Sequence, residues 1–240
     1  MKMNLYNSFK QGIMDGDRYR NELKYVCSEG ELALIEARVK NLCRRDSHVD
    51  DSGIYRIRSV YFDDSENSCY YENENGITPR EKFRIRIYNG NAERISLECK
   101  RKERRMTHKA SCSLTRAQCE AILDGSFVLK DTQKELLSKF YLQYKQRFLR
   151  AKTIVAYERT PYVYAAGNVR ITFDRNLGGS NRVKDFFEEQ LPLRPVMPPG
   201  KHVLEVKYDA FLPDFLYHAM SIESLQQTTY SKYYLCRKFT

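Results

Sequence analysis

Polar and apolar residues alternate with period two in one segment of this chain after another, the pattern of strands with one apolar and one polar face. It predicts strands near 18–26, 54–62, 81–89, 93–101, 106–113, 152–165, 168–174 and 202–209, about eight, the number that closes into a small barrel. Helical spacing appears between them. Ser28 is placed to cap a helix through about residue 43, with Leu32, Ile35, Val39 and Leu42 on one stripe and Glu31 completing a capping box. Thr115 opens a shorter helix, Asp131 begins a longer one to about Arg150 with Leu137, Phe140, Tyr141 and Tyr144 as its apolar stripe, and a further helix follows Pro213. Asn89-Gly90 between two alternating runs signals a hairpin that joins 81–89 to 93–101. The stretch Pro192 to Gly200 holds four of the seven prolines and reads as an extended connection into the last strand. No repeat or low-complexity tract divides the chain, so one domain over residues 1–240 is expected, with the polar first dozen residues loosely ordered.

The polar faces carry the information. In 81–89, Phe83, Ile85 and Ile87 share one side while Lys82, Arg84, Arg86 and Tyr88 share the other. Strand 93–101 separates Ile95, Leu97 and Cys99 from Ser96, Glu98 and Lys100, and strand 168–174 separates Val169, Ile171 and Phe173 from Arg170, Thr172 and Asp174. Arg20, Glu22 and Lys24 lie opposite Leu23 and Tyr25, and Glu205 and Lys207 lie opposite Leu204, Val206 and Tyr208; Lys109 and Arg159 fall on comparable strands. For any single strand this reads as the solvated face of an ordinary sandwich. Across the set that reading weakens, because solvent faces usually mix signs, whereas here cations dominate strand after strand with isolated Glu residues among them. The alternative turns the polar faces inward around a water-filled tunnel and the apolar faces outward under the amphipathic helices.

Net charge agrees with that picture. Lys and Arg number 41 against 31 Asp and Glu, a formal charge of +10, which favours phosphate-rich partners without choosing among them. Guanidinium forks and ammonium groups suit an extended polyanion, and isolated carboxylates suit Mg²⁺ or Mn²⁺. The seven cysteines are scattered and lack a C-x-x-C pair, which excludes a zinc or dithiol motif and implies reduced thiols in a cytosolic protein. His48, His108, His202 and His218 show no ligand spacing. No signal pattern is present, and no apolar run approaches the roughly 18 residues of a spanning helix.

The segments NELKY at 21–25, SVYFDD at 59–64, KFRIRIYN at 82–89, LECKRK at 97–102, YERTPY at 157–162, VRITFD at 169–174, LEVKY at 204–208 and SKYYLCR at 231–237 occur in an order that resembles the catalytic domain of the vacuolar transporter chaperone polyphosphate polymerases, within the triphosphate tunnel metalloenzyme superfamily. The resemblance implies a closed, eight-stranded antiparallel β-barrel of α+β class with a basic interior and flanking helices. It implies transfer of the γ-phosphoryl group of a nucleoside triphosphate, ATP above all, to a growing polyphosphate chain with Mn²⁺ or Mg²⁺ as cofactor. Carried across by position, Lys24, Arg84, Arg86, Lys100, Lys109, Arg159, Arg170, Lys207 and Lys232 would bind phosphate, and Glu205 would bind the metal. Glu22 and Glu98 share the predicted tunnel face and are secondary metal candidates. Tyr157 supports the phosphate site or packs; Arg56 and Arg58 match no basic position of the family and are assigned to a solvated face.

The expected partners are the nucleotide and polyphosphate. Nucleic acid is not expected, because few aromatics on the charged faces could stack bases. A separate membrane protein is a docking partner that the family allows, which would put the protein in the cytoplasm at the inner membrane face. Two alternatives stay open: a triphosphatase or cyclase-type enzyme on the same barrel, and a non-catalytic binder of polyphosphate or nucleic acid.

Overall fold

The computed structural model describes residues 19–47, 49, 52–104, 106–130 and 134–240. The expectations for the first dozen residues, for His48 and for Asp131 lie outside them. In chain order the elements are β1 (Arg20–Ser28), α1 (Glu29–Val39), β2 (Arg44–Arg45), β3 (Tyr55–Asp63), α2 (Ser68–Glu74), β4 (Arg80–Tyr88), β5 (Asn91–Glu103) and β6 (Met106–Leu114). There follow α3 (Arg116–Asp124), α4 (Glu135–Gln146), β7 (Arg150–Tyr164), β8 (Val169–Ser180), β9 (Arg194–Pro195), β10 (Lys201–Tyr208), α5 (Asp214–Met220) and α6 (Lys232–Phe239).

Eight strands close on themselves in the order β7-β3-β4-β5-β6-β1-β10-β8, with β8 returning to β7; β2 and β9 are two-residue additions to β7 and β8. Every ladder is antiparallel, and among the eight closing strands the seam between β1 and β6 is the shortest, with Arg20↔Thr107 and Asn21↔Met106 in register. The β4–β5 hairpin turns through Asn89 and Gly90, both at positive φ (51° and 71°), the conformation that a two-residue turn matching strand twist requires.

Alternation then sorts the side chains as expected. The outward faces of β3 to β6 bury Phe62, Phe83, Ile85, Ile87 and Leu97 beneath α3 and α4, which contribute Cys119, Ile122, Leu137, Phe140 and Tyr144. On the opposite wall Ile171, Phe173, Leu204 and Val206 pack under Leu32, Ile35 and Val39 of α1 and Leu216 and Met220 of α5. With apolar residues outside and polar residues over most of the interior, the helices supply the cover that a barrel of this polarity needs, while a third cluster, with Ile57, Val155 and Leu177 packed against Tyr233 and Cys236 of α6, makes part of the interior apolar.

Ser28 caps α1 with the full capping box, its hydroxyl accepting from Glu31 N while the Glu31 carboxylate accepts from Ser28 N at 2.7 Å. The helix ends at Val39 rather than near residue 43, and Leu42, expected on its apolar stripe, is 41% exposed. α4 ends at Gln146 rather than near Arg150, because Arg150 already begins β7. α2 has no apolar stripe and no buried residue, so periodicity could not find it. Among the described residues no helix is long and apolar enough to cross a membrane.

Candidate functional site

The barrel encloses a cavity of about 310 Å³ lined by thirteen of the described Arg and Lys side chains but by only two carboxylates, Glu22 and Glu205. All nine basic candidates reach it: Lys24 from β1, Arg84 and Arg86 from β4, Lys100 from β5, Lys109 from β6, Arg159 from β7, Arg170 from β8, Lys207 from β10 and Lys232 from α6. Tyr157 lines it too. Arg56 points to solvent with 80% of its side chain exposed, while Arg58, also outside the barrel, donates to the carbonyls of Phe186 and Glu188 at 2.9 and 2.6 Å, so the solvated role holds for Arg56 and not for Arg58.

Strand register builds a checkerboard at the centre. Lys24 faces Glu205 and Glu22 faces Lys207 across β1 and β10, so each carboxylate is ringed by ammonium groups. Lys100 Nζ lies 2.9 Å from Glu22, tying the short β1–β6 seam from within, and Lys207 Nζ lies 3.6 Å from Glu22 and 3.4 Å from Glu205. Lys232 completes the ring from α6, 2.8 Å from Asp174 and 3.8 Å from Glu205. Burial alone would raise the Glu205 carboxyl; Lys207 and Lys232 instead hold it well below the usual carboxylate range. Glu22 follows the same balance, burial opposed by Lys100 and Lys24, and is also held low. Both acids are therefore anionic at neutral pH.

Glu98 is set apart from these two. It does not line the cavity; its carboxylate lies 2.6 Å from Arg84 Nη2 and 3.3 Å from Lys109 Nζ, with only 3% of the side chain exposed. Its neighbouring strands both present cations inward and close over it, so the carboxylate that the shared face put forward as a secondary metal candidate is engaged by Arg84 and Lys109. Its chemistry is to hold Arg84 in place. Asp174 has the corresponding part on the other wall, bidentate to Arg159 at 2.6 and 2.7 Å and almost fully buried. Strand alternation had already placed Asp174 on the polar face, and that was its only signal. Arg20, Lys82 and Tyr88, placed on the polar faces but not carried into the candidate set, line the cavity too, as do Arg80 and Lys102, which were not singled out, and Tyr55 and Tyr61, since aromatics in a strand read as core.

Among the described residues no three His, Cys, Asp or Glu gather as metal ligands. The chemistry of the pair that remains still suits a hard divalent ion: Mg²⁺ and Mn²⁺ are held by one or two carboxylates and complete their shells with water and phosphate oxygens, and Glu22 and Glu205 are adjacent, ionised and open to the cavity. The ammonium groups around these carboxylates are also of the kind that pairs with phosphate oxygens, so a bound phosphate group would compete with the two acids for them.

α6 sits over this centre because several contacts fix it. Tyr233 is buried, with its hydroxyl on Asp63 Oδ2 at 2.5 Å, and Cys236 is fully buried. Tyr234 stacks on Tyr70 at 5.0 Å, and Arg237 reaches Asn67 Oδ1 at 3.0 Å. The helix approaches β8 at Gly179, where a Cβ would lie 2.9 Å from Cys236 Cβ and 2.8 Å from Thr240 Cγ2; only glycine leaves that room. Lys232 occupies the first helical position, where the dipole disfavours a cation, and the nearby acids compensate: burial would lower its ammonium pKa, but Asp174 and Glu205 hold it above its ordinary value.

The family model of the VTC domain matches residues 19–240. No curated protein matches the sequence. Among solved structures, a candidate adenylate cyclase from Bacillus halodurans superposes with a TM-score of 0.50 at 11% identity, covering 85% of this chain and 85% of that one. A candidate adenylyl cyclase from Hippeastrum, described as having a dominant triphosphatase activity, gives a TM-score of 0.50 at 11% identity over 92% of this chain and 95% of its own. At such identities the two structures establish the shared barrel fold.

Proposed function

The chain belongs to the VTC domain family, and from that premise we propose that it is a metal-dependent polyphosphate polymerase, moving the γ-phosphoryl group of a nucleoside triphosphate, ATP above all, onto the end of a polyphosphate chain. The observation that carries the reading is the cavity's charge: thirteen lining cations against two lining carboxylates, far more than one triphosphate needs, which suits a donor triphosphate and an acceptor chain together.

No side chain in the cavity needs to act as a covalent nucleophile. A terminal oxygen of the acceptor attacks the γ-phosphorus, and the bond to the β-bridging oxygen breaks to release the nucleoside diphosphate. Arg84 and Arg159, fixed by Glu98 and Asp174, offer guanidinium forks in set positions; Lys24, Lys100, Lys207 and Lys232 surround the place where charge builds up. Glu205 with Glu22 would hold a Mn²⁺ or Mg²⁺ ion, which would supply positive charge to offset that of the bound phosphates. Alignment and electrostatics do the rest.

Purified protein incubated with ATP, Mn²⁺ and a short polyphosphate primer is expected to release ADP and lengthen the primer on a sizing gel. Orthophosphate as the only phosphate product would replace this reading with a triphosphatase on the same barrel. A separate membrane protein as docking partner is a further proposal, tested by co-purification from detergent extracts.

Lys82 gives the site a pH signature. Burial first, then Arg80 and Lys100 beside it, pushes its ammonium pKa down to about 7, and among the described residues its Nζ has Asn73 Oδ1, at 2.8 Å, and the Tyr233 ring as partners. At pH 8 it is mostly neutral, so a polyanion that raises its pKa again must bind together with up to one proton. In calorimetry with buffers of different ionisation enthalpy, the wild type is expected to take up protons on binding tripolyphosphate at pH 8. Lys82→Gln should lose about one proton of that uptake, and an unchanged uptake would reject the assignment.

A further inference from the structure

β3 brings no charge into the cavity, yet it lines one wall with two phenols. Tyr55 and Tyr61 are 5% and 9% exposed, and both face the cavity. Each phenol oxygen receives a hydrogen bond from a guanidinium, Tyr61 from Arg84 Nη1 at 2.7 Å and Tyr55 from Arg170 Nη2 at 2.8 Å. The direction of these bonds is fixed by chemistry, because a guanidinium has donors and no acceptor. The phenol is therefore the acceptor, and its own proton is left to donate elsewhere. Neither phenol has a second hydrogen-bond partner among the described residues. Tyr157 repeats the pattern on β7, accepting from Arg86 Nη2 at 3.3 Å.

A buried donor needs an acceptor, and the charged groups acting most strongly on these phenols are cations: Arg84, Arg86 and Lys100 on Tyr61, Arg159 and Arg170 on Tyr55. An anionic oxygen is the acceptor such a setting draws in. We propose that Tyr55 and Tyr61 are phosphate ligands, each presenting its O–H beside the guanidinium that it caps, so that a neutral and a charged donor meet neighbouring oxygens of a bound inorganic polyphosphate. Six residues apart on one strand, about 20 Å along it, they serve different phosphoryl groups. The assignment rests on the phosphate-chain reading above and adds residues to it that carry no charge.

A supporting role, in which the phenols merely hold the arginines, makes a different prediction. Arg84 stays anchored without Tyr61, since Glu98 takes its Nε at 2.7 Å and its Nη2 at 2.6 Å; Arg170 stays anchored without Tyr55, since Asp46 lies 2.8 Å from its Nη2. Tyr→Phe thus removes a proton donor and leaves the cations where they are.

The test is equilibrium binding of end-labelled linear polyphosphate to the wild type, Tyr55→Phe, Tyr61→Phe and the double variant across a salt series, with melting temperatures of the unliganded proteins alongside. Each single variant is expected to bind about tenfold more weakly, as for a lost hydrogen bond to a charged group, and the double variant more weakly still. The salt dependence, which reports how many cations the polyanion engages, and the unliganded melting temperatures should not change. Affinities within twofold of wild type overturn the proposal. So does weaker binding that comes with a flatter salt dependence or a lower melting temperature, which marks misplaced arginines. A wild type that fails to bind polyphosphate overturns the functional reading itself and removes the ligand from both phenols.

Discussion

Glu205→Gln is expected to lower turnover by on the order of 100- to 1000-fold, the scale lost when one preorganised charge-stabilising group leaves an active site, while the protein stays folded. The fold survives because Glu205 sits on the polar inner face of β10 and its outward neighbours Leu204 and Val206 keep their places in the core. The chemistry does not survive, because glutamine is a poor ligand for a hard divalent ion and leaves Glu22 as the remaining lining carboxylate. The competing view is that Glu205 only balances charge, since Arg159 is 3.2 Å away, Lys207 3.4 Å and Lys232 3.8 Å. That view predicts the opposite change in substrate binding. With one anion fewer among the cations, a polyanionic substrate should bind more tightly and turnover should hold. Measuring kcat and KM for the variant over a Mn²⁺ series separates the two, and near-normal kcat across the series would reject Glu205 as a metal ligand. The unliganded variant should also melt at a lower temperature, from unscreened repulsion, and regain stability when tripolyphosphate is added.

The residues show what periodicity can and cannot reveal. Alternation in KFRIRIYN settles which side of β4 is cationic, and the excess of cations over several such strands settles that these sides face one another, so the inverted barrel was legible. Which residues meet across the interior was not, because that depends on shear and register between strands far apart in sequence. Glu98 and Glu205 have the same local pattern, but Glu98 meets Arg84 and Lys109 from the strands beside it, whereas Glu205 borders the cavity among Arg159, Lys207 and Lys232. Tyr55 and Tyr61 were hidden for another reason: a strand tyrosine reads as core, and nothing local shows that its hydroxyl meets a guanidinium from the neighbouring strand or from the next strand but one. Leu42 misled in the opposite sense, continuing a stripe past the point where α1 ends.

Lys232→Ala is expected to reduce polymer synthesis by about 100-fold while sparing the fold, and its product pattern tests how the site selects its nucleophile. The ammonium group is 11% exposed and approaches both Asp174 and Glu205, yet neither acid is left alone when it goes. Asp174 keeps its two bonds from Arg159, and Glu205 keeps Lys207 and Arg159. Removing Lys232 therefore takes one cation from the phosphate site without leaving an unpaired buried charge, the usual cause of a large stability loss. Because α6 packs over the cavity, it would also limit water there, and on the polymerase reading a docked helix would favour an acceptor phosphate over water as the attacking group. Gly179→Val separates the two roles: its side chain meets Cys236 and Thr240 and must push α6 off β8 while Lys232 itself is retained. Lys232→Ala should slow synthesis with little change in the ratio of orthophosphate to polymer, whereas Gly179→Val should raise that ratio as water gains access. Normal synthesis by Lys232→Ala would remove this lysine from the phosphate site, and an unchanged product ratio in Gly179→Val would show that water exclusion does not depend on α6.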